Sequence, residues 1–584
     1  MKIRMPSVQS RRILFLLAVF CLVYASLPAL SAWNAPGDTL TVIMRPILNI
    51  PAIHIPGETL LITALAAQNT TGFAAALLHG SKRIPLQVIA QTFNPLFGTW
   101  VLQCPIPEVA VYELYDLEVT ANGGIHDITQ HAVKLLPTRK TNYYFMHITD
   151  LHLPNRLNYP NSGYDTDSTE VVNFRAVIDD INLINPEFVL ITGDLINEGE
   201  LEDLAGQYWY GWTQRLLALI EVPVYVVSGN HDIGGWNSTP GPQGSARRHW
   251  WRYFGWPWLN NSNSNWDYHT QDYSFDYGDV QYIGLETYIN YDRWRNYIYG
   301  NNSLINSQRL WLESEIATSE ASARVLFYHY DFGEEIYQDE LNADMVLWGH
   351  THQNSGSIYQ YPYNLSTKSL CRYRAYRTIK VNGTNFSPQY TVDAGSSGTS
   401  IYNYFLPSNE GIADSVSCTI INNQSISYDE GLIKFIMPPG NNDYQVYGGL
   451  LQQVDRGEQH NVCYVKVHIL PNLTRTISIV ASAEIGNADE VGSVPFELIR
   501  SWPNPFSESA NIHLKFPSSA PLRVSIYNLR GAKIRDLYDD ITKAGDLSLV
   551  WDGKDQKATA QAAGIYFLKA EFAGQSQVHK LIKY

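Results

Sequence analysis

Residues 222–232 read Val-Pro-Val-Tyr-Val-Val-Ser-Gly-Asn-His-Asp, an apolar run that ends in a polar turn. The run has the β-branched density of a buried strand, and the turn carries Asn230, His231 and Asp232, side chains with oxygen or imidazole donors. Four other segments share this grammar. Tyr143–Ile148 runs into Thr149-Asp150-Leu151-His152, and Phe188–Thr192 runs into Gly193-Asp194. Val325–Tyr328 runs into His329, and Met345–Trp348 runs into Gly349-His350-Thr351-His352. Between these strands lie helix-period stretches. Ser168–Asn185 places Val171, Val172, Phe174, Val177, Ile178, Ile181 and Ile184 on one stripe, with Asp167 or Ser168 as N-cap. Leu201–Ile220 and Ser307–Ser319 read as further helices, and Val280–Leu285 as another strand. This alternation predicts an α/β core built on stacked sheets.

The polar residues at the strand ends carry the chemistry. In α/β sheets, ligands bind outside the carboxyl ends of the strands. Asp, Asn and neutral His are suitable donors for transition-metal ions. Asp-x-His and His-x-His let alternate residues of an extended segment approach one cavity. A lone Asp-x-His is usually a surface turn, Gly-Asp a loop, and Gly-Asn-His-Asp an Asn/Asp-rich turn. A single His329 reads equally as a core histidine. Five such motifs in order, each at a strand end between Asp150 and His352, make a joint metal site the better reading.

Together, Asp150-x-His152, Gly193-Asp194, Gly229-Asn230-His231-Asp232, His329 and Gly349-His350-x-His352 resemble the calcineurin-like metallophosphoesterase superfamily. Tyr273-Ser274-Phe275-Asp276 and Gln308-Arg309-Leu310-Trp311-Leu312-Glu313 match it too, and the resemblance covers residues 141–357. It implies a four-layer α/β/β/α sandwich with a dinuclear metal centre. Carried over by motif, Asp150, His152 and His352 would bind the first metal, and Asn230, His329 and His350 the second. Asp194 would bridge both, while His231, oriented by Asp232, would face the leaving group.

The implied reaction is hydrolysis of a phosphate mono- or diester by in-line attack of a metal-held hydroxide. Two ions of the Fe, Mn or Zn kind, about 4 Å apart, can hold that hydroxide and polarise a phosphoryl oxygen. A nearby imidazole can protonate the departing alkoxide. Two local features depart from relatives. Tyr330-Asp331 follows His329, where a second His or small residues are common in the family. His152 replaces the Gly of the purple acid phosphatase branch. The rival reading is a surface binding protein on an inactive phosphoesterase scaffold. A hydrolase of another ester or amide is weakened by the lack of HExxH and HxHxDH.

The flanks read differently. The chain has 584 residues, length for about four domains at roughly 150 each. Residues 1–32 have the layout of a secretory signal peptide: Lys2, Arg4, Arg11 and Arg12, then an apolar run at Ile13–Tyr24, then small residues. Residues 33–138 alternate over short strands and read as an N-terminal β-sandwich, followed by the metallophosphoesterase domain at 139–404. A second β-sandwich is expected at 405–484, a linker at 485–497, and a β-rich unit at 498–584. That last unit carries Trp502-Pro503-Asn504-Pro505-Phe506, Val524–Gly531, Trp551-Asp552-Gly553 and Gly564-Ile565-Tyr566-Phe567. These resemble the C-terminal sorting domain of type IX (Por) secretion substrates, which implies an outer-membrane secretion machinery as partner and a secreted or cell-surface location.

A net charge of −15 gives no bulk electrostatic reason to bind nucleic acid. Cys104, Cys371, Cys418 and Cys463 follow the signal with wide spacing, and sequence leaves disulfides and buried free thiols equally open. Residues 249–266 hold Trp250, Trp251, Trp256, Trp258 and Trp266 near Arg247, Arg248 and Arg252. They read either as an aromatic, basic wall for substrate or, preferably, as side chains that pack the insert itself.

Overall fold

The computed structural model describes residues 41–95, 97–153, 169–197, 203–233, 245–255, 270–287, 303–482, 497–516, 519–529, 532–543, 545–572 and 575–584. The signal segment, the helix cap at Asp167 or Ser168, and Trp256, Trp258 and Trp266 lie outside these residues. The chain divides into two compact units, one ending at Glu484 and one running from Ile485 to Tyr584.

Two five-stranded sheets form the centre of the first unit. The first runs, in spatial order, Val224–Val227, Val189–Thr192, Asn142–Ile148, Ala375–Asn382 and Asn385–Asp393. Its first three strands are parallel, and Ala375–Asn382 runs antiparallel to both of its neighbours. The second runs Tyr273–Tyr277, Val280–Leu285, Ala323–Tyr328, Met345–Trp348 and Tyr363–Ser366. Only its first pair is antiparallel. Helices Thr169–Ile184, Asp203–Leu217 and Asn306–Thr318 fall where the helical periodicity placed them.

Side-chain alternation explains why these strands read as unbroken apolar runs. In the first sheet, Tyr144, Met146, Ile148, Val189 and Ile191 join a core with Phe174, Val177, Ile178 and Ile181 of the Thr169–Ile184 helix. Their neighbours Tyr143, Phe145, Phe188 and Leu190 turn the other way, toward Tyr273, Tyr282, Val325 and Phe327 of the second sheet. On the far face of that sheet, Ile283, Leu285, Leu326 and Val346 pack on Trp311 and Leu312. The inter-sheet core is rich in aromatics. Tyr225 and Phe275 stack at 3.6 Å and Phe275 and Tyr282 at 5.0 Å, while Phe188 meets Tyr282 edge-on at 4.9 Å.

The flanking segments are all strand. Residues 43–135 form a four- and a five-stranded sheet, and residues 401–482 a four- and a three-stranded sheet. These segments are fastened to the core. Lys434 lies 3.4 Å from buried Glu113 and 3.0 Å from Glu221, and Gln453 exchanges two hydrogen bonds with the Tyr112 backbone. Phe435 and Met437 enter the same core as the Thr169–Ile184 helix. The second unit pairs a three-stranded sheet with a four-stranded one around Trp551, Phe506 and Phe572. Cys104, Cys371, Cys418 and Cys463 are all buried free thiols.

Phe188 is fully buried against Phe145, Tyr225, Phe275 and Tyr282. Phe188→Ala is expected to destabilise the chain by about 3–5 kcal/mol, since the site has little room to collapse. Urea unfolding followed by tryptophan fluorescence measures this, and a loss under about 1 kcal/mol contradicts the packing described.

Candidate metal centre

The strand ends bring all the expected residues to one place. Asp150 and His152 leave the Asn142–Ile148 strand, Asp194 the Val189–Thr192 strand, and His350 and His352 the Met345–Trp348 strand. Each of these five has a positive φ, between 46° and 66°. That left-handed backbone costs a non-glycine residue of order 1–2 kcal/mol.

Glycines make the close approach possible. A Cβ on Gly229 would lie 2.1 Å from Asp194 Oδ1, and one on Gly349 would lie 1.9 Å from Thr149 Oγ1. Gly193, at φ +82°, meets the Gly229 backbone so closely that a Cβ there would be 2.5 Å from its nitrogen. The glycine in each motif is therefore a contact requirement, not a flexible spacer.

The donor atoms form three overlapping groups, Asp150–His152–His352, His152–Asp194–His231 and Asp194–His329–His350, each with ligand atoms within 4.8 Å of one another. His352 Nε2 sits 3.2 Å from Asp150 Oδ1 and 3.0 Å from His152 Nε2. Asp194 Oδ2 faces both sides, 3.5 Å from His152 Nε2 and 3.1 Å from His329 Nε2. Its Oδ1 accepts the His231 backbone N–H at 3.0 Å. Asn230 Oδ1 reaches His350 Nδ1 at 2.9 Å, and His350 Nδ1 lies 3.3 Å from His329 Nε2.

The outer ring nitrogens are anchored. His329 Nδ1 donates to the Thr192 carbonyl at 2.7 Å, which turns Nε2 toward the centre and Asp194. His152 Nδ1 contacts Asn197 Oδ1 at 3.1 Å, and His231 Nδ1 contacts the Asn197 carbonyl. Asn197 thus fixes two rings, and the sequence reading passed over it. Its signal is weak, because an Asn three residues after Gly-Asp looks like any loop residue.

Burial raises the Asp150 carboxyl, but the imidazoles of His152 and His352 hold it well below the usual carboxylate range. Asp194 is likewise depressed, with His329 and His231 overriding burial. Burial lowers His329, yet Asp194 draws a proton onto it and lifts its pKa to about 9. His350 is pushed down to about 4 by burial and by His329. The pocket thus attracts positive charge, which protons supply in part and metal cations can supply in full. The donor set fits such ions: Asp150 Oδ1 is buried without a well-formed hydrogen bond, and the Nε2 atoms of His152 and His352 lie 3.7 and 3.2 Å from it.

One expected role needs correcting. Asp232 does not orient the His231 ring. Its fully buried carboxylate accepts the backbone N–H groups of Leu195 at 2.9 Å, Ile196 at 3.2 Å and Gly229 at 2.8 Å. It locks the Asp194 loop to the Asn230 loop, and the His231 ring is steered by Asn197 instead. The physical reason is placement: both carboxylate oxygens are drawn onto backbone N–H groups of the two loops, away from the His231 ring, whose Nδ1 is taken by the Asn197 carbonyl. The tryptophan insert is clarified in part. Trp250 and Trp251 are fully buried in helix Ser245–Phe254, and Trp250 Nε1 donates to Gln271 at 2.9 Å, so these two pack the fold.

The sequence model of the calcineurin-like phosphoesterase family matches residues 143–354, and that of the secretion system C-terminal sorting domain matches residues 500–584. The sorting-domain match indicates export to the cell surface or extracellular space. The chain is 29% identical over 100 residues to a protein of Moraxella catarrhalis (strain BBH18) described as a probable cyclic nucleotide phosphodiesterase. That stretch is 17% of this chain and 31% of the relative, so under a third of the relative's length is matched. Similar solved structures include a purple acid phosphatase from yellow lupin (Lupinus luteus) seeds, at 10% identity and TM-score 0.34, covering 62% of this chain and 69% of that one. A dimetal phosphatase from Danio rerio aligns at 12% identity and TM-score 0.30, covering 43% of this chain and 99% of that one.

Asp194→Ala is expected to empty both halves of the centre, because Oδ2 faces both ligand groups. Elemental analysis of the purified protein checks it, and a variant that keeps the wild-type metal content overturns the shared role.

Proposed function

We propose that this chain is an exported phosphoesterase that hydrolyses a phosphate mono- or diester with two transition-metal ions of the Fe, Mn or Zn kind. The observation that carries the reading is the convergence of imidazole nitrogens on two buried carboxylates, with Asp194 Oδ2 facing both groups. We read the core as helix, sheet, sheet, helix, and the flanking strand segments as β-sandwiches. Asp150, His152 and His352 would hold one ion, Asn230, His329 and His350 the other, and Asp194 would be shared. When bound, the ions supply Lewis acidity for phosphoryl transfer to water.

The chain's own residues do the rest. Asp232 ties two loops together through backbone N–H groups, which keeps Asn230 and Asp194 in register. His231 has its Nδ1 on the Asn197 carbonyl, so its other nitrogen is the one available to a substrate. That ring is half-buried at the edge of the centre, where a protonated Nε2 can donate to the leaving oxygen. The local likeness to a probable cyclic nucleotide phosphodiesterase supports testing diesters beside monoesters. The deciding experiment is metal content plus turnover of aryl phosphate mono- and diesters by the purified chain. Bound metal without turnover of either would favour a binding protein on an inactive scaffold.

His231→Ala is expected to lower kcat by roughly 10²–10⁴ with a poor leaving group while the metal content stays constant. The loss should shrink with nitrophenolate, which needs less protonation. Equal losses on both substrates remove the general-acid role, and loss of metal makes His231 a ligand. Deleting residues 498–584 is expected to abolish surface delivery in the native host and to spare turnover, since all the centre's residues lie at or before His352. Normal surface delivery of the truncated chain would contradict the sorting role.

A further inference from the structure

The segment after His329, Tyr330-Asp331-Phe332, is the departure that the metal centre does not use. Its geometry is specific. The Tyr330 ring lies over His350 at 4.9 Å and 33°, and Phe332 meets His350 at 4.9 Å and 73°. Tyr330 and Phe332 touch edge-on at 5.0 Å, and Trp348 closes the group 5.4 Å from Tyr330. Tyr330, Phe332 and Trp348 are all half-buried. The Tyr330 hydroxyl makes no hydrogen bond among the described residues.

Asp331 holds this presentation rigid. One carboxylate oxygen accepts the N–H groups of Glu335 at 2.6 Å and Ile336 at 2.7 Å, and the other accepts the Ser303 hydroxyl. The same hydroxyl accepts the Gly333 N–H at 2.7 Å. A loop pinned at its acidic residue, with partly exposed rings on either side, places apolar π surface directly beside His350. Phe332 is anchored against the core around the Thr169–Ile184 helix and Trp348 against the core around Trp311, and each of the three rings keeps part of its surface in water.

We infer that Tyr330 and Phe332 form the wall that receives the organic group of the phosphoester, and that the site selects esters bearing a flat aromatic or heteroaromatic group. The inference rests on the phosphoesterase reading. Once the phosphate is held at the centre, a planar substituent beside His350 covers these rings, whereas a small aliphatic one leaves them wet. Stacking of one planar group on an aromatic side chain is worth about tenfold or more in affinity.

The test uses the metal-loaded full chain and two inert probes, phenylphosphonate and methylphosphonate, titrated calorimetrically. The wild type is expected to bind phenylphosphonate about tenfold more tightly. Tyr330→Leu should erase that preference while methylphosphonate affinity and metal content hold. The non-hydrolysable 5′-phosphonate isosteres of adenosine 5′-monophosphate and of ribose 5-phosphate separate the sources: a gain lost in the variant assigns a nucleobase, and a gain confined to phenylphosphonate assigns a simple aryl group. Equal binding of phenyl- and methylphosphonate by the wild type overturns the inference. So does a variant that weakens both probes equally, which would make Tyr330 a buttress of His350. If Tyr330→Leu loses metal, Phe332→Leu carries the same comparison. The phosphoesterase reading fails separately, on missing metal or missing turnover.

Discussion

The centre depends on keeping one buried carboxylate, Asp194, charged. An isolated ionised carboxylate away from water is so costly that it would normally take up a proton. Here a backbone N–H from His231 meets one oxygen, and two imidazoles meet the other. The field of that carboxylate then sets the character of its neighbours: His329 gains a proton that burial alone would deny it. Stability and chemistry compete at this point. Two buried carboxylates share the pocket, and protonated imidazole offsets their charge in part, which bound cations would complete.

The backbone shares that cost. Five left-handed non-glycine residues cluster at the strand ends, and each needs its surroundings to hold it there. The loops do so by direct contact. Asp232 joins the Asp194 loop to the Gly229 turn, and Gly349 lets the last strand end pass over Thr149. The two sheets meet through a stack of rings, which resists the sliding that would pull these loops apart. Rigidity behind the site is thus the condition for strain within it.

Much of this was legible in the sequence. Strands buried on both faces are written as unbroken apolar runs, so the elements carrying Asp150, Asp194, Asn230, His329 and His350 could be placed before any coordinates. The residue types that could donate to a metal were also plain, because such side chains are few in kind. Less legible was what steers them. Asp232 looked like the partner of the adjacent His231, since neighbours in sequence suggest neighbours in space. A tight turn sends adjacent side chains apart, and the carboxylate found backbone donors instead. Asn197 carries no pattern that sets it off from a loop. Strand Ala375–Asn382 lies antiparallel to Asn142–Ile148 although more than 200 residues separate them, and no local periodicity announces such a pairing.

The Lys434 contact has a practical consequence for dissection of the chain. It draws together Glu113, Glu221 and a strand of the third segment, so acid groups on two segments share a cation from another. A fragment ended at residue 404 would leave Glu113 buried without Lys434, and would bare the helix face that Phe435 and Met437 cover. Such a fragment invites aggregation rather than simplification. The smallest autonomous piece that respects these contacts extends to Glu484, where the first compact unit ends.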